Sequence, residues 1–353
     1  DKSAPSVTSV VRADSNPTNA TTVDFTVTFD ESVTGLTTGD FSVVVASGSI
    51  SGESVVGISG SGTSYTVSVS TGSGDGALRL DLVDDDSVVD PAGNPLGGAG
   101  SGNGNYTGDE QYTIDKTAPT VTSITRSDAD PSNAATVDFT VTFSEDVGVV
   151  DVSDFATFGT VTGASVGSVA GSGATRTVTV NTGSGSGTLR LDLTDDDSIA
   201  DTAANALGGV GAGNGDHTGD ESYTIDKSAP TVTVEQSGGQ ADPTSALPIV
   251  FDVTFSESVT GFAMNDVTLG GTATGVSFNV SGSGANYVIQ ITSVTGDGSL
   301  VPSIASGVAV DAASNGNDAS TSADNSVVYD TTPPQVDTVT RASSNPTNAS
   351  GVD

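Results

Sequence analysis

One short motif, an aspartate followed four positions later by a proline, recurs at intervals the length of a small domain. It reads Asp1-Lys2-Ser3-Ala4-Pro5, Asp115-Lys116-Thr117-Ala118-Pro119, Asp226-Lys227-Ser228-Ala229-Pro230 and Asp330-Thr331-Thr332-Pro333-Pro334, at spacings of 114, 111 and 104 residues. Self-similarity at such a period constrains the chain to an array of like units. The proline removes a main-chain donor and fixes one dihedral, so each copy is semi-rigid, as a junction between domains requires. The period predicts domains over residues 1–114, 115–225 and 226–329, with 330–353 opening a fourth. Residues 330–353 match residues 1–24, so the chain is expected to be a segment of a longer protein.

Within each unit the apolar residues follow a period of two. Val23, Phe25, Val27 and Phe29 alternate with polar neighbours; the pattern returns at Val137, Phe139, Val141 and Phe143, and again at Phe251, Val253 and Phe255. That alternation marks strands with one face in a core. Further alternating runs follow at Tyr65 to Val69, Leu78 to Leu82 and Tyr112 to Ile114, with counterparts at Arg176 to Val180, Leu189 to Leu193 and Tyr223 to Ile225. In the third unit Pro302 interrupts the corresponding run, which argues against a central strand there. About seven short strands per unit, separated by Gly, Ser and Asn turns, predict an all-β chain of tandem immunoglobulin-like antiparallel sandwiches.

Composition narrows the function. With 44 acidic against nine basic residues and a formal net charge of -35, the chain repels nucleic acid and anionic membrane surfaces. No apolar run is long enough to span a bilayer. Cysteine is absent, which excludes disulfides and thiolate metal sites and leaves oxygen ligands, suited to a hard cation such as Ca²⁺.

Strand direction in a seven-strand sandwich places the loop after the second strand and the loop before the last strand at the same pole, facing the preceding junction. This gathers Asp115 with Glu145, Asp201 and Asn205, and Asp226 with Glu257, Asp311 and Asn315. The matching set at the chain start is Asp1, Glu31, Asp90 and Asn94, and Asp330 is the junction acid of the fourth unit. Such sets supply several of the six to eight oxygens that Ca²⁺ takes. The first turn of the preceding unit, around Asp14 and Asn16 or Asp128 and Asp130, is expected at the opposite pole, within reach of the next junction. Neighbouring units are thus the expected partners, with a cation stitching them together.

Two other features compete for a role. Acidic triplets at Asp84 to Asp86 and Asp195 to Asp197 are read either as a second cation site or as solvated surface charge. Glycine-rich insertions from Leu96 to Thr107 and from Leu207 to Thr218 occur in the first two units only. No lysine follows them and no helix opens behind them, so they are expected to be flexible surface loops rather than phosphate cradles. An alternative function is binding through these insertions to a surface ligand or to other copies of the chain, including addition of residues 334–342 as a strand to another subunit in a filament. Catalysis finds no support: the one histidine, His217, and the loop tyrosine, Tyr106, are expected in solvent, and no nucleophile, base and orienting group recur together.

The run Phe-Thr-Val-Thr-Phe-Ser-Glu, the following Val259 to Phe262, the stretch Asp311-Ala312-Ala313-Ser314-Asn315 and the junction Asp330-Thr331-Thr332-Pro333-Pro334 resemble the bacterial Ig-like repeats of large secreted adhesins and biofilm-associated surface proteins. The resemblance covers the whole chain. It implies extracellular stalk domains of a surface adhesin or filament, rigidified by Ca²⁺, and the glycine-rich insertions depart from it.

Overall fold

The computed structural model describes residues 2–342, 345–346, 348 and 350–351. Asp1 lies outside the described residues. Residues 7–114 carry six strands: β1 (Val7–Arg12), β2 (Thr22–Val33), β3 (Phe41–Gly48), β4 (Ser54–Ser70), β5 (Gly76–Leu82) and β6 (Gln111–Ile114). They form two antiparallel three-stranded sheets, ordered β1-β2-β4 and β3-β5-β6. The same arrangement recurs with β7 (Val121–Arg126), β8 (Thr136–Val147), β9 (Phe155–Gly159), β10 (Ser165–Ala170), β11 (Gly173–Asn181), β12 (Gly187–Leu193) and β13 (Ser222–Ile225), ordered β10-β11-β8-β7 and β9-β12-β13. It recurs again with β14 (Val232–Gln236), β15 (Ile249–Val259), β16 (Val267–Gly271), β17 (Ser277–Ser293), β18 (Gly298–Ile304) and β19 (Val327–Tyr329), ordered β14-β15-β17 and β16-β18-β19. The chain is all-β, in paired antiparallel sheets of the immunoglobulin kind.

The expected seventh strand appears as a separate element only once. β4 and β17 each run for 17 residues and serve as two strands joined end to end, whereas β10 and β11 divide the equivalent stretch. In β4 the reversal falls at Gly60, which has φ +110° and whose missing Cβ would lie 2.5 Å from Ser64 O. Only glycine fits so close a return at that backbone angle.

Alternation is what builds the cores. Val23, Phe25, Val27 and Phe29 of β2 face Leu78, Leu80 and Leu82 of β5, all of them buried in one cluster with Tyr112 and Leu96. Phe251, Val253 and Phe255 of β15 do the same with Leu300 and Ile304 of β18. Complete burial of such side chains contributes on the order of 1.5–3 kcal/mol each before the entropy of ordering is counted. Contact density divides the chain into two compact units: residues 1–129 with 134–224, and residues 130–133 with 225–353.

Tyr112 and Tyr223 secure the first two sandwiches in the same way. The Tyr112 hydroxyl accepts from the main-chain N–H of Ala13 and Asp14 at 3.0 and 2.8 Å and donates to Asp24 O at 2.6 Å, while its ring meets Phe25 edge-on at 5.0 Å. Tyr223 repeats this with Ser127, Asp128, Asp138 and Phe139. Val327 stands at that position in the third pair of sheets, and the aromatic contacts move to Phe255, Phe262 and Tyr287.

Pro302 corrects a sequence expectation, because it lies inside β18, the central strand of its sheet. It pairs with Leu269 of β16, but β19 pairs only with Gly298, Ser299 and Leu300. The partner strand has ended before the proline, so no ladder hydrogen bond is lost. Residues 334–342 form no strand, and Val336 and Val339 are 80% and 90% exposed.

Tyr112→Phe keeps the ring but takes the acceptor from Asp14 N–H, while Ala13 N–H and Asp24 O keep only their bond to each other, at 3.0 Å. It should lower hydrogen-exchange protection of the buried β2 amides by about 1–3 kcal/mol, whereas Val327→Ala, which removes no such hydrogen bonds, should leave those amides unchanged.

Candidate metal centre

Three elements converge around Asp115, and the same three around Asp226. The end of β8 carries Glu145, the loop before β13 carries Asp201, and the linker after β6 carries Asp115. Main-chain pairing holds the first two together: Val147 bridges Asp201 in antiparallel fashion, and Gly148 N–H donates to Ala200 O at 2.7 Å. In the third pair of sheets Thr260 and Val310 exchange both hydrogen bonds, at 2.8 and 3.0 Å, to the same effect.

The aspartate of the loop is fixed by its own turn. Asp201 Oδ1 accepts from the N–H of Ala203 and Asn205 at 2.7 and 2.9 Å, and Oδ2 accepts from Asn205 Nδ2 at 2.7 Å. Asp90 and Asp311 close on Asn94 and Asn315 with the same pattern. This is the self-bonded turn that an Asp-x-x-x-Asn spacing permits. On the linker side, Asp115, Asp226 and Asp330 each accept from the N–H two residues on, at 3.1, 3.0 and 2.8 Å.

The result is two clusters of like charge. Asp115, Glu145 and Asp201 place one carboxylate oxygen each within 4.8 Å of the others, and so do Asp226, Glu257 and Asp311. A Ca²⁺ ion at about 2.4 Å from each oxygen spans separations up to about 4.8 Å, so both clusters fit a shared divalent cation. In each the loop aspartate is buried and the other two acids are half-buried. Burial raises the pKa of Glu145, with the charges of Asp115, Asp201 and Asp75 adding to it; burial and then Asp311 and Asp226 raise Glu257.

The expected asparagines lie beside the clusters in a different role. Asn205 Nδ2 donates to Asp115 O at 3.0 Å as well as to Asp201, and its Oδ1 accepts from Asn19 at 3.2 Å. Asn315 likewise donates to Asp226 O at 2.9 Å. At the start of the chain Glu31, Asp90 and Asn94 take the same positions, without a described Asp1. Asp330 belongs to neither cluster. Of the first-turn acids, Asp14 and Asp128 accept from the N–H of Asp24 and Asp138 at 2.7 Å; the residue of that turn that meets the next loop is Asn19.

A second carboxylate, invisible to motif reading, braces the linker. Asp75, in the turn before β5, accepts from Lys116 N–H at 2.6 Å and from the Thr117 hydroxyl, while Lys116 Nζ caps Thr71 Oγ1 and Gly72 O at 2.9 Å. Asp297 holds Thr331 and Thr332 in the same manner. The hydrogen bonds from Thr117 and Lys116 lower the pKa of Asp75.

The acidic triplets and glycine-rich insertions prove to be one feature. Asp84 Oδ2 accepts from Gly104 N–H at 3.0 Å, Asp86 accepts from Gly100 N–H at 3.0 Å, and Gly102 N–H donates to Asp84 O at 2.9 Å. Asp195 and Asp197 bind Gly215 and Gly211 identically. Within the triplets Asp84 and Asp195 are buried acceptors for the insertions, whereas Asp85, Asp196 and Asp197 are exposed as surface charge, and the insertions are pinned rather than flexible. Glycine is required where the return is tightest, as at Gly97, with φ +69° and an added Cβ 2.5 Å from the Asn103 carbonyl carbon. The expectation of solvated Tyr106 and His217 is corrected too. They occupy equivalent places, bridged to Leu82 and Leu193, with Tyr106 packed against the core and hydrogen-bonded to Asp109 and His217 bonded to Asp220.

Opposite pKa displacements give the metal-free junction a two-sided pH response. Asp75 is lowered, so its stabilisation is present above the ordinary aspartate value of 3.8 and is lost as pH falls through its folded-state value. Glu145 and Glu257 are raised, so mutual repulsion destabilises above their folded-state values and is relieved as pH falls through them. In chelator, acidification from neutral pH should first raise the unfolding midpoint and then lower it. Glu145→Gln with Glu257→Gln should reduce the rise, and Asp75→Asn should reduce the fall. Asp84→Ala should separately increase exchange of the Gly104 amide, by about 1–3 kcal/mol in protection.

No family model and no curated protein matches the chain. Among solved structures it is similar to FdeC, described as a broadly conserved adhesin of Escherichia coli, at 15% identity over 91% of this chain and 98% of that one, with a TM-score of 0.43. It is also similar to InvD of Yersinia pseudotuberculosis, at 15% identity over 82% and 83% of the two chains, with a TM-score of 0.32. The immunoglobulin-like description rests on the strand pairing itself.

Proposed function

We propose that this chain is a structural segment of a bacterial surface adhesin or filament, built from tandem Ig-like sandwiches over residues 1–114, 115–225 and 226–329, with 330–353 opening a fourth. Ca²⁺ at the carboxylate clusters limits bending between consecutive sandwiches. The observation that carries this reading is the convergence of the same three positions, linker aspartate, strand-end glutamate and loop aspartate, in two separate places. Carboxylates held that close repel one another unless a proton or a cation intervenes. The donor set is all oxygen, which suits Ca²⁺, and the set is completed by main-chain carbonyls and water. The role is mechanical rather than catalytic, and the resemblance to adhesin repeats points to an extracellular setting. No helix among the described residues is long and apolar enough to cross a membrane.

A second reading has its own support. The pinned insertion of the second stretch presents Val210 with 92% of its surface exposed, on a loop already ordered by Asp195 and Asp197. A pre-ordered loop binds a partner without a large entropic cost, so this surface suits a ligand or another copy of the chain.

Ca²⁺ added at matched ionic strength should raise the thermal midpoint and lengthen the particle seen by small-angle scattering. At 100-fold excess over Kd the gain is about 2.7 kcal/mol. Asp115→Ala with Asp226→Ala should remove both effects, and identical curves in Ca²⁺ and chelator would sink the reading. Deletion of both glycine-rich insertions should leave the Ca²⁺ response intact; loss of surface adhesion in that variant would favour the second reading.

A further inference from the structure

The main chain around Asn19 forms a closed ring of hydrogen bonds. Asn19 N–H donates to Ala203 O at 3.1 Å, and its carboxamide nitrogen donates to Ala204 O at 2.8 Å and to Asn205 Oδ1 at 3.2 Å. Asn205 Nδ2 passes the connection to Asp115 O at 3.0 Å. Asp115 N–H returns it to Thr18 O at 3.1 Å, one residue before the starting point. The ring thus joins three elements: the turn after β1, the linker after β6 and the loop before β13. We propose that Asn19 is a latch that fixes residues 1–114 against residues 115–225 with no ion present. This goes beyond the Ca²⁺ reading, because every donor and acceptor in the ring is a neutral main-chain amide or side-chain carboxamide.

Two observations show that the latch is more than a casual contact. Ala204 sits at φ +71°, a left-handed conformation that costs a residue with a Cβ about 1 kcal/mol. Its counterpart in the first stretch is Gly93, at φ +88°, where that cost is absent. The strained residue is the one whose carbonyl accepts from Asn19. Burial agrees, since Ala203 is 3% exposed while its counterpart Ala92 is exposed.

The ring also recurs. Within the second compact unit Asn133 Nδ2 donates to Asn315 Oδ1 at 3.2 Å, Asn315 Nδ2 donates to Asp226 O at 2.9 Å, and Asp226 N–H donates to Ser132 O at 2.9 Å. Ser314 there repeats the left-handed backbone, at φ +71°. Serine replaces the latch residue at Ser245, which is exposed, so the turn itself accepts serine. A serine side chain is too short to reach across and carries one donor where the carboxamide carries two.

The test uses the full chain, which has no native cysteine. Cysteines placed at Val56 and Val149, 56% and 77% exposed, take spin labels, and double electron–electron resonance in chelator reads their distance distribution. The native sequence should give a narrow distribution, and Asn19→Ser, which removes both carboxamide bonds to the loop before β13, should broaden it about two-fold or more as the linker gains freedom. Far-UV circular dichroism checks that the strands are unchanged in the variant. A distribution already broad in the native sequence would overturn the latch, and if Ca²⁺ then narrowed it the ion reading would stand alone. An Asn19→Ser distribution as narrow as the native one would overturn it as well.

Discussion

Long loops leave main-chain N–H groups with no strand to receive them, and this chain satisfies them with carboxylates. Asp84 and Asp86 bind the first glycine-rich loop, Asp90 its own turn, Asp75 the linker, and Asp109 the N–H of Val10. Buried main-chain donors must find an acceptor, and a loop rich in glycine offers many donors and few side chains. The excess of aspartate is therefore structural before it is electrostatic. A short side chain with two acceptor oxygens reaches amides that glutamate would overshoot. Charge accumulates as a by-product, and the places where it accumulates most tightly are the junctions, where three such acids meet.

The cores were legible because a period of two is local: Val23 to Phe29 and Leu78 to Leu82 announce their buried faces residue by residue. The convergence of Asp115, Glu145 and Asp201 was legible one level up, since strand direction alone brings their loops to one pole. What escaped depends on which main-chain groups come within 3 Å of a side chain, and no residue pattern encodes that. Asn19 reads as the end of an Asn-Pro-Thr-Asn turn, and Asp75 as one more polar residue in a glycine-rich turn. The pairing of triplet with insertion left one signal that was within reach: both features are present in the first two stretches and both are missing from the third.

That third stretch shows how much of the scaffold is replaceable. Val327 takes the place of Tyr112 and Tyr223, and Phe262 joins Phe255 and Tyr287 at 5.4 and 5.0 Å to restore aromatic packing elsewhere. A different exchange occurs where Tyr65 and Tyr287 donate to Val33 O and Val259 O at 2.7 and 3.3 Å. In the second stretch Arg176, 4% exposed, donates to the carbonyls of Val147 and Gly148 at 2.9 and 2.8 Å. Phenol and guanidinium answer the same need, capping carbonyls where the strand with the junction glutamate leaves its sheet. The strand-end glutamate and the loop aspartate persist through all of these changes.

The pinned loops also bear on chemical ageing. Asn103-Gly104 and Asn214-Gly215 are the kind of pair in which the glycine nitrogen attacks the asparagine side chain and closes a succinimide. Here the nitrogens of Gly104 and Gly215 donate to Asp84 and Asp195 at 3.0 Å, and the carboxamides of Asn103 and Asn214 donate to Ala99 O and Val210 O at 2.9 Å. Nucleophile and target are each held by other partners, so the geometry for ring closure requires the loop to open first. The same carboxylates that order the loop slow its covalent decay.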